Sequence, residues 1–170
     1  MSLPEMPPPA QPHRQMRINH HDGSSRVVYC VESEVPFPDG RLIVSRTDLS
    51  GLITHVNDAF VEMSGYTEAE LLGAPHHILR HPDMPPAAFA DLWATVSAGR
   101  KWHGYVKNLR KDGTYYWVYA TAVPNVRNGA ICGYTSVRRK PSPAAMPTLW
   151  RTSAAGTAWS CSCMTPCRKA

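Results

Sequence analysis

Nowhere does the 170-residue chain hold an apolar run near the ~20 residues that a membrane-spanning helix needs, so direct membrane insertion is not expected. The N-terminal stretch MSLPEMPPPAQPHRQ lacks the apolar segment at the centre of a secretory signal, and export by that route is not expected either. Cysteine is scarce and odd in number. Of five, Cys30 and Cys132 stand alone, and Cys161, Cys163 and Cys167 crowd the last ten residues. That usage points to reduced thiols and a cytoplasmic location. The late Cys-x-Cys-x3-Cys has no fourth ligand at zinc spacing, so no metal centre is expected there. Excess charge is small as well. The net charge is +5, and between Phe37 and Lys140 twelve Lys/Arg stand against nine Asp/Glu. Nucleic-acid binding wants a basic stripe, and the only compact cluster is Arg138-Arg139-Lys140. It closes an apolar run and reads as solvated charge at a strand end. No nucleic-acid partner is expected.

Proline placement draws the boundaries of what is present. Five of sixteen prolines fall in the first twelve residues, and a polar stretch follows. Val27 to Val31 has strand composition but no obvious partner, so residues 1–36 read as a flexible or loosely docked arm. From Pro141 the chain shows neither helical nor strand periodicity, so 141–170 reads as an irregular tail. Residues 37–140 are the domain.

Within that domain the pattern is regular. Leu42-Ile43-Val44 and Leu52 to Val56 flank Asp48-Leu49-Ser50-Gly51 as a hairpin. Asp58 to Ser64 reads as a short helix stopped by Gly65. Thr67-Glu68-Ala69-Glu70 is a capping box. Pro85-Pro86 opens a longer helix in which Phe89, Leu92, Trp93 and Val96 make one apolar face. Three strands follow, about 102–111, 114–123 and 130–139, with Asp112-Gly113 and Asn128-Gly129 at their turns. This order is α+β: one antiparallel sheet of five strands, with short helices and one longer helix packed on one face. By the two-residue period Trp102, Gly104, Val106 and Asn108 share a face. A buried Asn108 amide needs partners, which a ligand edge or a neighbouring turn would supply. Tyr116, Val118, Ala120 and Ala122 make a small-residue face on the next strand. Tyr115, Trp117 and Tyr119 make an aromatic one, too large to leave exposed. The arm, a second copy or a downstream domain should cover it.

The element order, with Asn57-Asp58-Ala59-Phe60, Ser64-Gly65-Tyr66-Thr67 and Lys111-Asp112-Gly113-Thr114, resembles a PAS domain. The likeness sharpens at His76-His77-Ile78-Leu79-Arg80-His81-Pro82-Asp83-Met84-Pro85, at Ala88 to Trp93, and at Trp102 to Asn108. These stretches look like the N-terminal sensor domain of bacterial aerotaxis receptors. The resemblance implies a PAS fold that binds FAD and reads redox state or oxygen for aerotaxis or energy taxis. It implies that Arg80, His81 and Asp83 engage the diphosphate and ribose. It implies further that Asn108 meets the flavin ring, that Trp102 flanks a ring and that Asn57 contributes. Asn57 read without the family is a helix cap. Self-association as a PAS dimer and contact with a downstream signalling domain, through Tyr115, Trp117 and Tyr119, belong to the same expectation.

Other chemistries fit less well. Light-sensing relatives form an adduct through a cysteine where this chain has Gly73-Ala74-Pro75-His76. Haem ligation from the long helix lacks a histidine between Pro86 and Gly99. His76, His77, His81 and Asp83 lack the partner ligands of a metal site. With no Gly-rich phosphate loop and no Ser/His/Asp arrangement, enzyme activity is not expected. The alternative to a flavin sensor is a cofactor-free PAS module acting by protein contact. Aerotaxis receptors continue into a membrane anchor and signalling regions. The composition change after Lys140 fits a reading-frame slip, a truncated product or a natural single-domain protein.

Overall fold

A computed structural model describes residues 3–20 and 23–142 of the chain. Its centre is a five-stranded antiparallel sheet built from β3 (Ile43–Thr47), β4 (Ile53–Val56), β5 (Trp102–Leu109), β6 (Tyr115–Arg127) and β7 (Ala130–Arg139). The spatial order is β4-β3-β7-β6-β5, so the two ends of the domain meet where β3 pairs with β7. Gly133 makes that pairing possible. Its φ is +151°, and a Cβ there would lie 2.3 Å from the Thr47 carbonyl oxygen. Between β4 and β5 come α1 (Asp58–Ser64), α2 (Glu68–Leu71), a 3-10 turn (His76–Leu79) and α3 (Pro86–Ser97).

Local chemistry fixes each element. The Asp48 carboxylate accepts from the Ser50 and Leu52 amides, both at 2.9 Å, and closes the β3–β4 turn. Thr67 and Glu70 form the reciprocal capping box that starts α2. Gly65, at φ +74°, ends α1 in the left-handed conformation. Pro86 sits in the first turn of α3, where a missing N–H costs nothing. Asn128 and Gly129, both at positive φ, turn β6 into β7.

The N-terminal arm departs from expectation. Residues Arg14–Asn19 (β1) and Ser25–Cys30 (β2) form an antiparallel hairpin, and Ile18, Val28 and Cys30 bury with Met6 and Leu109 as a second small core. The sequence hid this because β1 is mostly polar and exposed; only Ile18 of its six residues is buried. Arg26 anchors the hairpin. Its guanidinium donates to the Ile78 and Pro4 carbonyls and to Tyr66 Oη, at 3.1, 2.9 and 2.8 Å. The following segment runs beside β6: Tyr115 N–H donates to the Ser33 carbonyl, and its own carbonyl accepts from Val35 N–H at 2.7 Å. The aromatic outer face is therefore largely covered. Trp117 is only 7% exposed, and Val35 and Phe37 share its core cluster. Tyr115 and Tyr119 are both half-buried, Tyr115 beside the arm and Tyr119 beside Tyr105 at a ring separation of 5.1 Å. The proposed tail, with Cys161, Cys163 and Cys167, lies outside the described residues apart from Pro141 and Ser142.

Because Tyr66 and Ile78 are both buried, losing their shared donor leaves polar atoms unpaired. Arg26→Ala should lower unfolding free energy by about 2 kcal/mol in urea titrations, with Arg26→Lys recovering part of it. An unchanged midpoint would show that the hairpin contributes nothing to the fold.

Candidate functional site

The sheet's inner face is small where the helices cover it. Cross-strand pairing puts Ala120 opposite Arg138 and Ala122 opposite Ser136, while Ser45 pairs with Ser136 on the other side. Methyl and hydroxymethyl groups cannot reach the covering layer. On that side α3 presents Phe89, Leu92, Trp93 and Val96, the apolar face expected from their spacing. The result is a cavity of about 400 Å³ between sheet and helices, closed at one side by Pro75, His76, His77 and Leu79. Its size and apolar lining suit a small organic ligand.

Polar side chains line it as well, and Asn108, Arg80 and Arg138 each hold a buried polar atom without a hydrogen-bond partner. Asn108, 5% exposed, lines the cavity beside its cross-strand neighbour Tyr116, and its Nδ2 makes no hydrogen bond of normal geometry. Its neighbour Tyr116 is pushed up to about 12 by burial, against the pull of Arg138 and of the Asn108 amide. Arg80 lies across from Asn108 in an isolated antiparallel bridge. Its guanidinium rests 5.3 Å from the Phe89 ring centre, burial lowers its pKa, and its buried Nε is unpartnered. Arg138 is the residue that sequence reasoning missed. Far from being solvated, it is 3% exposed, lines the cavity and donates to Ser45 Oγ at 3.2 Å and to His76 Nε2. Ser136 and Arg138 are two residues apart on one strand, so the two-residue period puts them on the same, cavity-lining face.

Of the six residues expected at a cofactor, Asn108 and Arg80 reach the cavity; the other four do not. Asn57 caps α1: its Oδ1 accepts from the Phe60 and Val44 amides, and its Nδ2 donates to the Leu42 carbonyl. Trp102 lies flat over Gly104, where a Cβ would come within 2.8 Å of the indole, and donates to Asp91 of α3 at 2.8 Å. It fills space under the helix rather than opening into the cavity. His81 and Asp83 leave the bridge on the opposite side from Arg80. The His81 ring, 1% exposed, accepts from the Asp83 amide at 3.1 Å. Asp83 is held by Lys107 at 2.8 Å and by Arg14 of the hairpin at 3.3 Å. These two residues lock the loop that carries Arg80. Among the described residues no group of three His, Cys, Asp or Glu is placed to hold a metal ion.

Two imidazoles, His81 buried and His76 half-buried, make the fold sensitive to acid. Burial holds His81 well below its ordinary value of 6.5, with Lys107 adding to the effect and Asp83 opposing it. His76 is lowered too, by burial first and then by the Arg138 charge. The unfolded chain therefore binds more protons below that ordinary value, so stability is full above it and falls as pH drops towards the folded values. Asp83, lowered from 3.8 chiefly by the Lys107 hydrogen bond acting against burial, adds a further loss at lower pH. Urea midpoints measured down through this range should fall steadily. In His81→Phe the fall should be shallower but not absent, because His76 still titrates; an identical profile would show that His81 is not buried neutral.

Comparison with known proteins is consistent with this architecture. A family model described as "PAS fold" matches residues 53–138. Over 131 residues the chain is 50% identical to the aerotaxis receptor of Escherichia coli K12, a match that takes in 75% of this chain and 26% of the receptor. The chain thus spans about a quarter of that relative's length. The nitrogen fixation regulatory protein of Klebsiella pneumoniae is 29% identical over 97 residues, 56% of this chain and 20% of its own length. Among solved structures, the PAS domain of a protein from Colwellia psychrerythraea superposes with a TM-score of 0.50 at 25% identity, covering 59% of this chain and 86% of that one. A light-oxygen-voltage domain studied with a flavin analogue gives 0.56 at 21% identity, covering 66% and 85%, and is similar in fold. With a family match over half of its length and the five-stranded sheet around a covered cavity, this chain belongs to the PAS-fold family.

Proposed function

We propose that the chain is a flavin-binding PAS sensor domain, that the flavin is FAD, and that it reads redox state or oxygen for aerotaxis. The observation that carries this is the unpartnered Asn108 Nδ2 inside an apolar cavity. A buried donor left unpaired costs ~1–3 kcal/mol, and a ligand carbonyl or ring nitrogen would remove that cost. The isoalloxazine ring fits on chemical grounds: it is flat, apolar on its faces and lined with carbonyls and nitrogens along one edge. Ala120 and Ala122 leave room against the sheet, Phe89 and Trp93 offer aromatic surface, and Asn108 meets the polar edge. Arg80, with its free Nε on the same wall, is placed to meet an anionic part of the cofactor. His81 and Asp83 support it from outside the cavity by fixing the loop. The flavin, once bound, supplies reversible electron uptake.

The 50% identity to an aerotaxis receptor supports the sensory role, and a cytoplasmic, non-catalytic domain is part of the same proposal. Dimerisation and passage of the signal to a downstream domain would use the outer face around Tyr119 and Tyr105, since the arm already covers Trp117 and much of Tyr115.

The purified chain should be yellow, with flavin absorption bands that bleach with dithionite and return in air, and the released cofactor should have the mass of FAD. Asn108→Ala should weaken FAD binding roughly tenfold, one buried hydrogen bond's worth. Released FMN instead would correct the cofactor alone. A folded, colourless protein that also refuses added FAD would favour the contact-only PAS module.

A further inference from the structure

Arg138 carries a positive charge into the cavity that the fold itself does not answer. It lies on the inner face of β7, with Ile43 and Ala120 as its cross-strand neighbours. Its stem and guanidinium lie over Phe60, 5.1 Å from the ring centre. One nitrogen, Nη2, is spent on Ser45 Oγ and His76 Nε2; the other, Nη1, is buried with no partner. Among the described residues no carboxylate lies within ion-pair distance of it, although Asp83, Glu70, Glu62 and Asp39 all pair elsewhere. Neither of its polar neighbours supplies a negative charge. Burial pushes the Tyr116 hydroxyl up to about 12, and His76 is held neutral with its Nε2 lone pair turned to the guanidinium. Burial lowers Arg138 to about 10, which still leaves it charged at neutral pH.

A lone buried charge is among the most unfavourable features a core can hold, since even a buried ion pair is often replaced by apolar residues of similar volume with no loss of stability. Something outside the fold must account for it. Nη2 is committed, and the unpartnered Nη1 belongs to a side chain that lines the cavity, which is where an acceptor for it can come from. Ser45 on β3 and His76 on the 3-10 turn hold the fork from two separate elements, so its aim is set before any ligand arrives. Preorganised donors of this kind act most strongly on electron-rich atoms in a water-poor site.

We infer that Arg138 is a ligand-binding residue of this cavity, donating from Nη1 to an electron-rich or anionic atom of the bound group, with Ser45 and His76 as the residues that position it. This assignment rests on the flavin reading above and deepens it. Asn108 and Arg138 then grip the ligand from different strands, one with a neutral amide and one with a charge. A ligand without an acceptor on the Arg138 side would leave the charge bare.

Arg138→Met and Arg138→Lys separate this role from a structural one. The full chain is stripped of cofactor, its melting temperature is read, and FAD is titrated back by fluorescence quenching. Arg138→Met keeps the packing over Phe60 and removes the charge, so the cofactor-free protein should melt no lower than the unsubstituted one, while FAD binds at least tenfold more weakly. Arg138→Lys keeps the charge without the fork and should fall between the two. Ser45→Ala, which loosens the fork without touching its charge, should weaken FAD binding several-fold. Unchanged FAD affinity in Arg138→Met overturns the assignment while leaving the flavin reading intact. So does a melting temperature lowered by several degrees with no loss of affinity, which would make the arginine a structural element. Failure of the unsubstituted chain to bind FAD overturns both.

Discussion

Everything about the site follows from the smallness of four side chains at the centre of the sheet. Ser45, Ala120, Ala122 and Ser136 stand on three adjacent strands in paired register, and none can fill the distance to the covering helices. Large residues surround them: Tyr116 and Val118 below on β6, and Tyr134 on β7, with Trp93 of α3 against it at 5.5 Å. The layer therefore stays propped open at its rim, and its middle forms the cavity. A protein interior normally closes such a gap, since lining atoms lose contacts across it. Here the frame cannot collapse, because the antiparallel ladder holds the sheet and the capped helices hold the other wall. An apolar cavity so maintained stabilises any ligand that restores the missing contacts.

Charge is distributed by the same geometry. On the outer edge Asp83 is met by Lys107, and Lys107 in turn lies 4.0 Å from the Tyr115 ring centre. Arg14 bridges Asp83 and Glu32, so the hairpin is tied to the loop by opposite charges. Partly exposed pairs of this sort are worth little singly, but here they act together on one loop. Inside, the arrangement is reversed. Arg138 and Arg80 approach the cavity with no carboxylate among the described residues to meet them, and the polar atoms left unsatisfied around it include three donors, Asn108 Nδ2, Arg80 Nε and Arg138 Nη1. A site that presents mostly donors selects for acceptors.

Periodicity and turn chemistry were enough to read most of the sheet and helices, because capping boxes, Asp-Gly and Asn-Gly turns and the α3 stripe act over a few residues. What escaped was whatever depends on tertiary partners. The β1–β2 hairpin was missed because its buried positions are sparse and its other partner, Leu109, comes from a distant strand. Family likeness pointed to the 76–85 stretch but not to which of its residues face the cavity. Arg80 and His81 are adjacent, and an extended backbone turns adjacent side chains to opposite sides. The bridge to Asn108 decides the matter: Arg80 goes to the cavity and His81 to the outer edge. Arg138 was misread for the opposite reason. Two exposed cations follow it, so composition suggested solvent, whereas register put it opposite Ala120.

The wall between cavity and hairpin is only one short turn thick. His77 lines the cavity and stacks on His20 of the hairpin turn, with ring centres 3.7 Å apart and planes inclined by 17°. The next residue, Ile78, is buried and gives its carbonyl to Arg26 on β2. Beside them His76 holds Arg138. A 3-10 turn has few hydrogen bonds of its own, and its side chains at successive positions point in different directions. This one spends them on both sides at once: cavity cation, hairpin ring and hairpin guanidinium. A change in what the cavity holds therefore bears on the turn through Arg138 and His76, and the hairpin meets that turn directly. Coupling of this kind requires no long pathway, only that the ligand's two states differ in how they engage the guanidinium.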